Sequence, residues 1–349
     1  MSYRLKYLKY KKKYLSLKNS TIHGGKIKNN LVVHKENKLN DKVTENSKHK
    51  TLFENLTAIF PTERLKMERN IDSDENLIGR IIDIFSPIGK GQRGLLVSSQ
   101  KNERKLILKH IANSITSNYP NINLIVLLID ESPEIVTEIQ QSIKGEVIST
   151  TFYENAERHI QVAENVIEKA KHLVENKKDV VILLDSITRL THAYKTIDPT
   201  SGDANALLKA KKFFGAARNI KEGGSLTIIA TTIINTGTQF DDKINNEFKS
   251  ISNMEIHLDT LMTEKRIYPP INVNLSRTRR EELLLEPDIL QKFFILRKVI
   301  ESMSDLEAGQ FIIEKLKSTK SNIDFLDSMN KPEKKVKNNW DVLDNFMNA

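Results

Sequence analysis

Three short runs of branched apolar residues, Leu124–Asp130 (LIVLLID), Val180–Asp185 (VVILLD) and Leu226–Thr232 (LTIIATT), constrain the fold of this chain most. A strand with one face in water alternates apolar and polar residues. A strand apolar at nearly every position needs cover on both faces. Between the runs lie helical patterns such as Asn155–Glu175. Apolar strands alternating with helices predict a parallel sheet clothed by helices on both sides, a doubly wound α/β core. After Gln291 the pattern is helical, and from about Asn330 it is polar (NKPEKKVKNNW).

Charge divides the chain where the apolar pattern begins. Residues 1–50 hold 14 Lys and Arg against 3 Asp and Glu, and the other residues hold 40 against 42. The net charge of +9 therefore belongs to the N-terminal segment, and the body is close to neutral. Nucleic-acid binding by the body then needs a local patch, such as a pore, not a surface-wide field. The first 50 residues are rich in Lys and Asn and predict a mostly disordered tail. Tyr3, Leu5, Tyr7, Leu8, Tyr10, Tyr14 and Leu15 could also form a basic amphipathic helix. Three readings stay open for it: a solvated leader, a nucleic-acid or acidic-partner arm, and a membrane-surface helix. Lysines interrupt every apolar stretch there, which is unlike a secretory signal. No apolar run reaches the roughly 18–20 residues of a membrane span. Zero cysteines exclude disulfides and thiolate metal sites, and a soluble intracellular protein is expected. If the arm reading holds, deleting residues 1–50 removes most RNA or DNA affinity and flattens its salt dependence. An unchanged affinity and salt slope, read by filter binding across a salt series, would leave the tail a leader only.

Ligands of open α/β sheets sit at the carboxyl ends of the strands. Two of the apolar runs deliver acids there, Asp130-Glu131 and Asp185. One such acid is as readily a cap, but two on one sheet edge point to a nucleotide or metal site. Further on lie Lys265-Arg266 and Arg277, Arg279 and Arg280. They fit a salt-bridged helix start and an arginine finger equally well.

Longer blocks narrow this. GRIIDIFSPIGKGQRG at residues 79–94, LLIDESPEIVTEIQ, GEVISTTF, DSITRL, KKFFGAARNIKEGGSLTIIAT and SRTRREELLLEPDILQKFFILRKVI stand in nearly collinear order. Between about Leu52 and about Asp327 the chain resembles the motor domain of the transcription termination factor Rho family, RecA-type ATPases. The resemblance implies a RecA-type P-loop NTPase fold over residues 51–329, with polar or basic tails at 1–50 and 330–349. It implies ATP and Mg²⁺ as cofactors, RNA as substrate and a hexameric ring. Glu131 then matches the glutamate that polarises the attacking water, Asp185 the Mg²⁺-associated aspartate and Arg279 the arginine finger. Arg189 and Arg266 match further interface arginines. Tyr268 matches the aromatic stacked on adenine, with Leu106 on the base's other face. Gly237, Thr238 and Gln239 fall in an RNA-contacting loop.

The chain departs from the family pattern at several of these places. The phosphate loop reads Ser98-Ser99-Gln100-Lys101-Asn102-Glu103-Arg104-Lys105. Glu103 stands for a glycine, Arg104 for the phosphate-gripping lysine and Lys105 for the hydroxyl that coordinates Mg²⁺. Lys101, Arg104 and Lys105 keep the loop cationic, but Glu103 sets a Cβ and a negative charge beside an anion. Ser132 stands for an arginine and Gln239 for a lysine. Thr200-Ser201-Gly202-Asp203 is about seven residues shorter than the family's RNA-contacting loop, and the basic tail stands where the family has an OB-fold.

These departures predict an attenuated or inactive motor, a pseudoenzyme with weak ATP and Mg²⁺ binding and an oligomeric, nucleic-acid-associated role. A working RNA-dependent ATPase with a rearranged loop is the alternative reading, and a structural or virion nucleic-acid-binding protein a third. Expected partners are RNA or DNA, further copies of the chain, and RNA polymerase, with no membrane. A cytoplasmic location is expected. The Lys/Tyr-rich opening resembles that of many giant-virus proteins, for which the location is host cytoplasm or virion.

Overall fold

The computed structural model of the chain describes residues 52–329 apart from 72 and 74. Both expected tails, residues 1–50 and 330–349, lie outside the described residues. The strands in chain order are β1 (Ala58–Ile59), β2 (Arg64–Leu65), β3 (Ile88–Gly89), β4 (Arg93–Ser98), β5 (Asn123–Glu131) and β6 (Glu146–Thr151). They continue with β7 (Asp179–Asp185), β8 (Arg218–Ile220), β9 (Ser225–Ile233), β10 (Met254–Leu258) and β11 (Ile271–Thr278).

The main sheet runs β11-β10-β4-β9-β7-β5-β6, with β8 and β1 attached beside β9. Its central pairs, from β10 through β6, are all parallel. β11 pairs antiparallel with β10 and closes one edge. The three apolar runs of the sequence are the adjacent strands β9, β7 and β5. This is the α/β architecture of a RecA-type fold.

Successive side chains of a strand point to opposite faces, so an all-apolar strand feeds two cores. Leu95 and Val97 join Ile125, Leu127, Val180, Ile182 and Leu184 in one core, under the helices Ala156–Glu175, Ile187–Ile197 and Gly202–Phe214. Leu96, Val126, Leu128, Val181 and Leu183 join the other, under Asn76–Phe85, Lys101–Asn118 and the C-terminal helices. Arg80 ties those C-terminal helices down. It is 3% exposed and donates to the carbonyls of Leu316, Thr319 and Ser321 and to the side chains of Thr319 and Asn322.

The parallel register sets two opposite edges. The carboxyl edge carries the ends of β4, β5, β7 and β9. The amino edge carries their starts, together with the end of β11, because Thr278 pairs with Met254 and Met254 with Gly94. The turn into β4 needs glycine at position 91, where φ is +86° and a Cβ would stand 2.1 Å from the Asn219 amide nitrogen.

Candidate functional site

Glu131 ends β5 and Asp185 ends β7, so both acids stand on the carboxyl edge, as their positions in the apolar runs predict. Ser186 caps the helix that follows Asp185, its hydroxyl accepting from the Arg189 amide at 3.2 Å. From the first turn of that helix the Arg189 side chain reaches back to β5. Arg189 Nη1 donates to Glu131 Oε2 at 2.8 Å and to the Ile129 carbonyl at 3.2 Å. Lys101 pairs with the other carboxylate oxygen, Oε1, which also accepts from the Ser132 amide at 3.0 Å.

Burial pushes the Glu131 carboxyl upward, but Lys101, the Ser132 amide and Arg189 together outweigh it and hold the group below the usual glutamate range. The lowered folded value means that the pair stabilises the chain at neutral pH. That contribution fades as the pH falls below the unfolded value of about 4.3 and through the folded one.

The loop between β4 and the helix Lys101–Asn118 carries the altered residues. Gln100 is the N-cap, and Glu103 lies in the first turn, where a carboxylate complements the helix dipole. With its amide turned toward Glu103, Gln100 donates to both carboxylate oxygens at 3.0 Å. Glu103 has no ion pair among the described residues. Ser99 bonds Thr260 at 2.9 Å, tying the loop to the segment after β10.

Arg104 points inward. It is 2% exposed, and its Nε lies 3.7 Å from Asp185 Oδ1, itself at the bottom of the site with a 2% exposed side chain. Asp185 Oδ1 accepts from the Thr231 hydroxyl at 2.7 Å. Arg104 Nη1 donates to the Gln100 carbonyl at 3.3 Å, while Nε has no hydrogen-bond partner. Burial lowers the Arg104 pKa, against the pull of Asp185. Burial likewise lowers that of Lys105, which faces Glu131, Glu138 and Asp185.

The structure thus brings Lys101, Arg104, Lys105, Glu131, Asp185 and Arg189 together. Leu106 and Tyr268, the expected adenine pair, are 40% and 47% exposed. Tyr268 lies just before β11, whose start pairs with the carboxyl end of β10. Arg266, exposed, follows the short helix Thr260–Glu264 with φ +57°. Gly237, Thr238 and Gln239 follow β9 on this edge; Thr238 caps the helix Gln239–Ile251, accepting from the Asp241 amide. At the segment expected to be shortened, around Gly202, Asp203 pairs with Lys195 at 2.9 Å and Lys243 at 3.0 Å.

Arg279 stands apart from all of these. It follows Thr278 at the end of β11, on the amino edge, across the sheet from the loop that follows β4. Sequence reading also passed over Thr231, the hydroxyl that holds Asp185. A threonine inside the otherwise apolar run LTIIATT was the available signal.

A family model described as the ATP synthase alpha/beta family, nucleotide-binding domain, matches residues 79–278. Transcription termination factor Rho of Chromobacterium violaceum is 60% identical over 304 residues, covering 85% of this chain and 73% of that protein. The Rho factor of Neisseria gonorrhoeae is 58% identical over 289 residues, covering 81% and 69%. That of Haemophilus influenzae is 54% identical over 304 residues, covering 85% and 72%. A solved ATPase from the type III secretion system of pathogenic bacteria superposes with a TM-score of 0.62 at 19% identity, covering 86% of this chain and 92% of that one. At that identity the superposition speaks for the fold alone.

Proposed function

The chain belongs to the transcription termination factor Rho family, and from that premise we propose that it is a Rho-type RNA motor domain whose nucleotide cycle is attenuated or lost while its assembly and nucleic-acid association persist. The observation that carries this reading is the buried pair of Arg104 and Asp185. Mg²⁺ needs oxygen donors with unspent negative charge. Here the one carboxylate at the end of β7 faces a guanidinium 3.7 Å away, and Lys105 takes the position of the family's metal-binding hydroxyl. That donor set does not fit Mg²⁺. Glu131, the family's water-polarising acid, is likewise engaged on both oxygens by Lys101 and Arg189. A carboxylate so neutralised is a poor base for water.

Weak anion binding fits the remaining cations, and the exposed Leu106 and Tyr268 could still flank a base. We place the protein in the cytoplasm, with RNA as its nucleic acid and other copies of the chain as its first partners. A quantitative ATPase assay with and without RNA tests the reading, the expected result being no RNA-stimulated turnover.

Nucleotide clamped between subunits stabilises an assembly by mass action, and a chain that binds it poorly lacks that contribution. Oligomers up to hexamers are therefore expected to grow with protein concentration or RNA and to ignore added Mg-ATP. Light scattering over a concentration series reads this. Assembly that requires Mg-ATP would contradict it.

A further inference from the structure

The amino edge of the sheet carries a cavity of about 710 Å³. Arg93, Arg218 and Arg279 line it, beside an apolar wall that includes Ile59, Phe60 and Leu284. None of the three arginines has a carboxylate partner among the described residues; the other cations of the lining do, Lys211 pairing with Glu247 and Arg280 with Glu282. Their donors go instead to backbone carbonyls. Arg93 donates to Ile251 at 2.9 Å and to Ala217, Arg218 to Ala216, and Arg279 to Lys249 at 3.4 Å. Carbonyls at the end of the helix Gln239–Ile251 favour cations, but they carry no net charge. Burial, and after it the neighbouring charges of Arg218 and Arg279, lower the Arg93 pKa. Three like charges therefore converge on one cavity with no carboxylate in ion-pair contact among the described residues, Glu54 acting on Arg218 only at longer range.

The opposite edge offers the complement. Glu103 is the acid of the phosphate loop without an ion pair among the described residues, whereas Glu131 and Asp185 are engaged. Its cationic neighbour Lys105 faces three acids of its own chain. Glu103 cannot reach the cavity of the same molecule. β4 separates them, with Arg93 at its start and Ser98 at its end, a span of about 17 Å at about 3.3 Å per residue. Surfaces at opposite ends of one sheet can meet only head to tail, in a heterologous contact between copies.

We propose that the amino-edge cavity receives the Glu103 loop of a second copy of this chain. The protein's own carboxylate then supplies Arg93, Arg218 and Arg279 with an anion in direct contact. The inference rests on the oligomeric reading above and gives it a specific contact. Substituting a glycine by glutamate in the loop then has a purpose beyond disabling a phosphate site: it makes the contact independent of nucleotide.

The test is assembly of the full chain by light scattering, with thermal unfolding as the control for folding. Glu103→Gln, which keeps the shape and removes the charge, is expected to raise the concentration for half-assembly about tenfold or more. Glu103→Arg and Arg279→Glu should each do so more strongly, and the double variant should recover assembly. Inorganic tripolyphosphate should compete with the loop and weaken assembly of the unaltered chain. Normal assembly of Glu103→Gln and Glu103→Arg, or failure of the double exchange, overturns the contact while leaving the oligomeric reading intact. Assembly strengthened by tripolyphosphate assigns the cavity to phosphate instead and also overturns it. A chain that stays monomeric at tens of micromolar, with and without RNA, ends both readings.

Discussion

Exchange of Glu103→Gly, Arg104→Lys and Lys105→Thr is expected to tighten Mg-ATP binding by roughly 10²–10⁴-fold. The unaltered loop lacks the lysine and the hydroxyl that the family sets on phosphate and metal. Charge-assisted hydrogen bonds are worth about 1.5–3 kcal/mol each, so two of them account for roughly 3–6 kcal/mol. At about 1.4 kcal/mol per decade that is the stated range. The structure adds a second reason. Arg104 Nε lies 3.7 Å from Asp185 Oδ1, so on the proposed reading its charge opposes a cation at that acid. The exchange replaces that guanidinium by a shorter, single-point ammonium that the proposed reading sets on phosphate, and supplies a hydroxyl at position 105. The loop glycine also lets backbone amides approach an anion.

Calorimetric titration should show a dissociation constant near or above about 1 mM for the unaltered chain and a far lower one for the triple variant. The same variant loses Glu103, so its assembly should change from nucleotide-indifferent to nucleotide-dependent. Micromolar binding with RNA-stimulated hydrolysis by the unaltered chain would refute the pseudoenzyme reading. No gain in the variant would move the lesion to Ser132 or to the short loop at Gly202.

Most of the framework was legible because it rests on local periodicity. The runs at β5, β7 and β9 are apolar on both faces, and such strands need two covered faces whatever the distant sequence. The acids were legible for the same reason, being placed by the ends of those runs. What a side chain does when two positions substitute together was not legible. Arg104 reads as a cation left at the loop, but its side chain is buried with Nε 3.7 Å from Asp185 Oδ1, a contact between two positions 81 residues apart. Arg189 reads by resemblance as an interface arginine, and its guanidinium binds Glu131 of its own chain. Arg279 illustrates the other limit. Its neighbours in sequence say nothing of the reversal at β11 that carries it to the far edge, because strand direction is set by pairing with β10. The gathering of Arg93, Arg218 and Arg279, distant in sequence, is likewise a property of topology alone.

Asp185→Ala is expected to destabilise the chain by about 3–5 kcal/mol, the cost of leaving one member of a buried ion pair without its partner. Here the acid has become a structural partner. Both side chains of the pair are 2% exposed, Arg104 Nε has no hydrogen-bond partner and Asp185 is its one ion-pair partner among the described residues, and Lys101, Lys105 and Arg189 add positive charge nearby. Removing the carboxylate also strips the Thr231 hydroxyl of its acceptor. The surrounding cations make escape of the guanidinium into the site unfavourable, so the penalty falls on folding. Replacing both members avoids it, because apolar side chains of similar volume leave no charge buried. Arg104→Met with Asp185→Ala should therefore recover most of the loss, to within about 1–2 kcal/mol of the unaltered chain. Urea unfolding of the two single variants and the double variant closes the cycle. A neutral Asp185→Ala, or a double variant no better than the single one, would show that Arg104 leaves its pocket freely. The site would then be open to phosphate, and the argument for a lost nucleotide cycle would rest on Glu103 and Lys105 alone.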